Sequence, residues 1–244
     1  MFVTSFSKSA LVVVICLTLA GCKSDAERAD AYFQSGLELL EAGDVDRAMI
    51  EFRNVFEFEA NHRETRLTMG NLFLEQNNPG AAYGQFLRIV EQYPEDFEAR
   101  LILAELAFAA ASWDEFVRHG EVVVQQQPDN PRVQAVDLGL KYRQAVLDED
   151  DPARQALVAP AETQLAAQPE NEILNNILLD SYARDGALTR ALERLDALIA
   201  HSPEDRQLYT RRLALLAQMQ EMDDVETQLR AMAERFPEDA EVQG

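Results

Sequence analysis

The chain has 244 residues, 47 % of them hydrophobic, and a formal charge of −21. That is apolar enough to bury a sizeable core. Lys8 is the only charged side chain before residue 22, so the part from Cys22 onward is more acidic still; such a body repels nucleic acid and anionic headgroups, and no nucleic-acid partner is expected. Both cysteines, Cys16 and Cys22, lie near the N-terminus, which leaves the rest of the chain without a disulfide framework or a cysteine metal site.

Residues 1–10 carry one cation, Lys8, and precede the apolar run from Leu11 to Leu19. The run is about half the length a membrane-crossing helix needs, so it reads as a secretory signal and not as a span. It ends in Leu19-Ala20-Gly21-Cys22, which resembles the lipobox of bacterial lipoprotein precursors. The resemblance implies removal of residues 1–21, lipidation of Cys22 and a tether over residues 22–28. The other reading is an ordinary secretory signal with Cys22 incidental; it leaves an unpaired, reactive thiol, which acylation would remove. Stable anchoring takes at least two acyl chains, at about 0.8 kcal/mol per buried methylene. Among such lipoproteins Asp after the cysteine marks retention in the inner membrane. Lys23 stands there instead, so the expected place is the outer membrane, facing the periplasm. The spacer before the helical pattern, residues 23–29, reaches at most ~25 Å.

Pro94, Pro128, Pro169, Pro203 and Pro237 are each followed by an acid and then Asp or Asn, and three of the four gaps are 34 residues. A repeat period of this length marks an array of small units. With each proline at position 32, the units are 29–62, 63–96, 97–130, an irregular 131–171, 172–205 and 206–239, and residues 240–244 open a further one. Position 8 holds Gly36, Gly70, Ala104, Leu179 and Leu213 in the regular units; position 20 holds Ala48, Ala82, Phe116, Ala191 and Val225. Phe52, Phe86, Leu195 and Leu229 stand at position 24, and Val55, Ile89, Val123, Leu198 and Met232 at position 27. The spacing i, i+4, i+7 puts positions 20, 24 and 27 on one helical face, a core stripe.

The first unit, AYFQSGLELLEAGDVDRAMIEFRNV, resembles the tetratricopeptide-repeat family through Tyr32, Gly36, Leu39, Gly43, Asp44, Ala48 and Phe52, and the likeness extends over about residues 29–239. It implies an all-α, right-handed solenoid of helix–turn–helix units. Two units depart from the pattern. In the third, Phe116 fills the small position 20 and Gly120 the large position 24, so Phe116 is expected to pack into the space that Gly120 leaves. The fourth is seven residues too long. Its first helix is expected from Pro131 to about Leu147, with a break at Asp148-Glu149-Asp150-Asp151-Pro152, Asp151 as N-cap, and a kink at Pro160.

Candidate chemistry is sparse. The run Asp148 to Asp151 has neither the alternation nor the glycine of a calcium loop. His62, His119 and His201 fall at unrelated repeat positions and read as structural or solvated, so no metal site is expected. No nucleophile elbow, phosphate-cradling loop or catalytic carboxylate pair is present, so no catalytic residue, cofactor or small-molecule substrate is expected. Trp113 opens the second helix of the third unit and reads as packing.

The family likeness implies a concave groove lined by the first helix of each unit. Its expected residues are Phe33, Leu37 and Leu40, then Leu67, Asn71 and Leu74, then Leu101, Glu105 and Phe108, with Asn176, Asp180 and Arg184 in the fifth unit. Edged by Glu41, Glu64, Glu75 and Glu98, such a groove suits a peptide with apolar anchors and basic flanks. The competing reading is that the stripe packs against neighbouring helices. The carboxylate-clamp version of the scaffold needs several cations; Asn71 alone fits it, and the cations are read as missing.

These readings lead to a lipid-anchored, non-enzymatic scaffold that binds other envelope proteins. It resembles the tetratricopeptide lipoproteins of exopolysaccharide and protein-sorting systems, and others of this architecture assist outer-membrane or pilus assembly. An alternative is the N-terminal arm of a larger protein with a functional domain beyond residue 244, because no polar capping helix follows the last unit.

Overall fold

A computed structural model describes residues 24–237. The expected signal segment 1–21, the expected lipidation site Cys22 and residues 240–244 lie outside them. Among the described residues the fold is all-α, with thirteen helices and no strand. The chain divides into two compact units, residues 1–65 and 66–244.

The first unit contains α1 (Asp25–Glu41) and α2 (Val45–Phe58). α1 begins four residues earlier than the repeat register suggests because Ser24 and Glu27 form a capping box: the Ser24 hydroxyl accepts from the Glu27 N–H at 3.2 Å, and the Glu27 carboxylate accepts from the Ser24 N–H at 2.7 Å. The two helices meet at Gly36. A Cβ there would lie 2.4 Å from the Phe52 ring, so the fully buried phenylalanine at position 24 demands glycine at position 8. His62 is buried; its Nδ1 accepts from the Thr65 N–H at 3.2 Å, and its ring packs on Phe33 at 5.1 Å.

The second unit takes in α3 (Arg63–Glu75) from Arg66 onward, then α4 (Pro79–Gln92), α5 (Phe97–Ala109), α6 (Trp113–Gln126) and α7 (Pro131–Leu147). Then come α8 (Asp151–Ala156), α9 (Val158–Leu165), α10 (Glu172–Arg184), α11 (Leu188–His201), α12 (Arg206–Met219) and α13 (Met222–Arg235). The proline motif shows its purpose here. Its third residue caps the next first helix: Asp96 accepts from the Ala99 N–H, Asn130 from Arg132, Asn171 from Leu174 and Asp205 from Gln207. The proline carbonyl is taken up by a side chain six residues on, Arg100 for Pro94, Asn175 for Pro169 and Tyr209 for Pro203. First helices therefore start at Phe97, Pro131, Glu172 and Arg206.

Gly70 repeats the first unit's device, since a Cβ on it would meet the Phe86 ring at 2.6 Å. The stripe at positions 20, 24 and 27 is buried in α4 and α6. In α13 it opens, with Leu229 40 % exposed, and no helix after α13 is described.

Three expectations about the two irregular units need correction. Phe116 does not fill the space at Gly120. Its ring reaches α7, where a Cβ on Gly139 would stand 3.0 Å from it, and it meets Phe108 edge-on at 5.2 Å. The space at Gly120 is taken by Val136 and Leu140, also of α7. Volume is thus exchanged between neighbouring helices and not along one helix. The N-cap of α8 is Asp150, which accepts from the Ala153 N–H at 3.0 Å, so the helix starts at Asp151, one residue earlier than expected. Glu149 makes the turn with φ 55°. Pro160 falls in the first turn of α9, after a break at Leu157, where its missing N–H has no helical partner to lose.

Arg154 fastens α8 to α10. Only 2 % exposed, it donates to Asp151 at 3.0 Å, to the Ser181 hydroxyl at 2.6 Å and to Asp185 at 2.5 Å. The Asp185 hydrogen bond raises its pKa and outweighs the opposing effect of burial.

Candidate functional site

Within the second unit, four first helices, α5, α7, α10 and α12, border a groove of about 720 Å³. α5 contributes Phe108 and Ala109; α7 contributes Gly139, Tyr142, Arg143 and Val146. α10 adds Asn176, Asp180, Ala183 and Arg184, and α12 adds Gln207, Arg211, Ala214 and Gln218. Glu172, Ile177 and Leu179 of α10, Leu215 of α12, Ala191 and Leu195 of α11, Trp113 of α6 and Ala111 in the turn before it complete the lining. First helices dominate because the second helices turn their stripes inward.

The polar groups of the groove are ordered by one another. The Tyr142 hydroxyl donates to Asp180 at 2.8 Å, and Arg184 donates to the same carboxylate at 2.7 Å. Burial, reinforced by Asp180, pushes the Tyr142 phenol up to about 12. The Arg143 guanidinium lies 4.2 Å over the ring of Trp113, which meets Phe108 edge-on at 5.7 Å. Arg211 donates to Asn176 at 3.0 Å. Burial lowers its pKa, while Glu172 and Asp205 pull the other way. Burial also raises the pKa of Glu172, against Arg211.

The expected groove residues fare unequally. Of the twelve expected residues, Phe108 of the third unit and Asn176, Asp180 and Arg184 of the fifth line this groove. Leu101 is 2 % exposed and belongs to the core, so it offers nothing to a partner. Leu67 and Leu74 are partly buried against the cluster of Phe86, Ile89 and Leu103. Glu105 holds Arg132 in a two-pronged ion pair and so is already engaged. Asn71 is exposed. In the first unit Leu37 and Leu40 are half-buried, and Phe33 packs on Phe52 and His62.

The reading that the groove lacks cations is overturned by Arg143, Arg184 and Arg211. Arg143 was within reach of sequence reasoning. Counted from Pro131, the places held by Leu37, Leu40 and the residue after it in the first unit fall on Gly139, Tyr142 and Arg143, because the extra residues of this unit lie beyond them, in the last turn of α7 and after it. Arg211 falls one place after a groove position. Trp113 both packs and lines the groove.

His119 is buried, and His201 pairs with Glu170 at 2.6 Å on the surface. Among the described residues no cluster of three His, Cys, Asp or Glu could hold a metal ion, and no helix is long and apolar enough to cross a membrane.

Residues 67–131 match the family model described as tetratricopeptide repeat. No curated protein sequence matches the chain. Among solved structures it is similar to pilF of Pseudomonas aeruginosa, at 15 % identity and a TM-score of 0.53, over 91 % of this chain and 97 % of that one. It is also similar to PilW, described as a widely conserved type IV pilus biogenesis factor, at 12 % identity and a TM-score of 0.58, over 88 % and 96 % of the two chains. A third is a tetratricopeptide protein of Thermus thermophilus, at 19 % identity and a TM-score of 0.54, over 74 % and 95 %. At such identities the likeness is one of fold. Residues 67–131 thus match the tetratricopeptide-repeat model, and the other described helices share the all-α repeat fold of these solved structures.

Proposed function

We propose that this chain is a protein-binding scaffold, held by lipid on Cys22 at the periplasmic face of a bacterial outer membrane, where it serves an envelope assembly or export system. Repeats of this family are in general non-catalytic scaffolds, and their grooves engage other proteins. The observation that carries the reading is the groove on α5, α7, α10 and α12, with half-buried Phe108, Trp113 and Val146 beside placed polar groups. The lipobox residues Leu19-Ala20-Gly21-Cys22 and the following Lys23 support the anchor and its membrane. Pilus assembly is the version favoured by the extent of the fold match, which covers nearly the whole of pilF and PilW.

One experiment addresses both halves. The tagged full chain is expressed with radiolabelled palmitate, the membranes are solubilised, and co-purifying proteins are identified. The wild type should carry label and retain a partner. Cys22→Ser should lose label and leave the membrane fraction, while Ala214→Trp, which fills the exposed side of the groove, should keep the label and lose the partner. Unchanged labelling in Cys22→Ser would sink the anchor, and a partner retained by Ala214→Trp would sink the groove as its site.

A further inference from the structure

We propose that the groove on α5, α7, α10 and α12 takes an acidic peptide segment, its carboxylates meeting Arg143 and Arg211 and its apolar side chains lying against Phe108, Trp113 and Val146. This rests on the protein-binding reading above and names the chemistry of the partner.

The argument begins with charge. The chain has 43 Asp and Glu against 22 Lys and Arg, so an arginine finds an acid easily, and Arg88, Arg118, Arg132, Arg154 and Arg190 all do. Arg143 and Arg211 do not: among the described residues neither has a carboxylate within 4.0 Å, and both line the same groove. Arg143 is braced through its flat face on Trp113, which leaves its N–H edge without a protein acceptor. Arg211 donates only to the neutral amide of Asn176. An incoming carboxylate would meet two positioned guanidinium groups, the geometry that favours paired, charge-assisted hydrogen bonds.

The acids in the groove do not reverse this preference. Asp180 already accepts from Tyr142 and from Arg184, so little of its charge is left for a basic ligand. Glu172, exposed in the first turn of α10, acts on Arg211 through space and makes no ion pair with it, so the guanidinium stays open to a ligand. Glu105, which would edge the groove with negative charge, is spent on Arg132. The expectation of basic flanks on the partner is thereby reversed for this part of the array. The groove volume of about 720 Å³ suits a few residues of extended peptide and not a folded surface.

The test uses the full chain and pools of fluorescein-labelled decapeptides that share fixed Leu and Phe positions and carry Asp/Glu, Lys/Arg or Ser/Gln elsewhere. Binding is read by polarisation and, independently, by emission of Trp113, the only tryptophan in the sequence. Acidic pools should bind tightest and shift Trp113 emission. Arg143→Gln and Arg211→Gln should each weaken them about tenfold, the worth of a lost charge-assisted contact, with unchanged thermal melting. Equal or tighter binding of basic or neutral pools overturns the proposal; if that binding is lost in Ala214→Trp, the groove still binds protein but not by this chemistry. Unchanged affinity of acidic pools for the double Arg→Gln variant, or no binding by any pool, overturns it as well.

Discussion

Phe116→Ala should lower the free energy of unfolding by about 3 to 5 kcal/mol, the range for emptying a buried phenylalanine site. Phe116 has no exposed surface, and its ring is clamped between Phe108 and the backbone at Gly139. The site cannot collapse easily, because Gly139 is also pressed by Ile173 of α10, whose Cγ2 would lie 2.7 Å from an added Cβ. Filling from the other side tests the same contact: Gly139→Ala should destabilise by itself, by about 1 to 3 kcal/mol. In the double variant the alanine methyl occupies part of the vacated space, so the two losses should add to less than their sum. Urea denaturation of the four proteins measures this. A loss below about 1 kcal/mol for Phe116→Ala, or strict additivity, would show that α6 and α7 do not interlock at this point.

Acid should weaken the fold through His119. This side chain is 1 % exposed, with Nε2 3.3 Å from Glu115 and Nδ1 3.5 Å from Arg100. Burial and the nearby Arg118 lower its pKa from 6.5 to about 4, against the pull of Glu115, which is itself held by Tyr83 and Arg118. Between those values the unfolded chain takes up a proton that the folded chain refuses. Stability from this group is therefore complete above the unfolded pKa and falls with falling pH until the folded pKa is passed. At 1.36 kcal/mol per unit, the loss between pH 7.5 and pH 5 is about 2 kcal/mol. Carboxylates held down in the folded state, such as Asp44 and Asp185, add acid lability lower on the pH scale. The diagnostic is thus the difference between wild type and His119→Gln, which lacks the titrating ring. Urea midpoints of the two should diverge by this amount across the interval; parallel curves would contradict a neutral, buried His119.

The proline period was enough to locate every first helix from α5 to α12, because each motif stops one helix at its proline and caps the next with its Asp or Asn. Gly36 and Gly70 were equally legible, as the glycine and its phenylalanine partner belong to the same unit. What escaped depends on contacts between units. Phe116 was paired with Gly120 because both stand on one helix, whereas the partner that matters, Gly139, lies 23 residues on in α7. Leu101 sits at a groove position of its unit but is covered in the core, a burial that the pattern of one helix does not reveal. Arg143 and Arg211 are not marked by the pattern, because Arg211 stands one place after a groove position and cation–π stacking on Trp113 has no signature in repeat spacing. The cap of α8 was misplaced by one residue because four successive acids, Asp148 to Asp151, all suit it.

The central claim is that partners are held in the groove of the second unit. Site-specific photocrosslinking in cells tests it most directly, with benzoyl-phenylalanine placed at Gln218, which is exposed and lines the groove, or at Val117, exposed on α6 and outside the lining. The account predicts a discrete crosslinked protein band from Gln218 and none from Val117; a band from Val117 with none from Gln218 would contradict it.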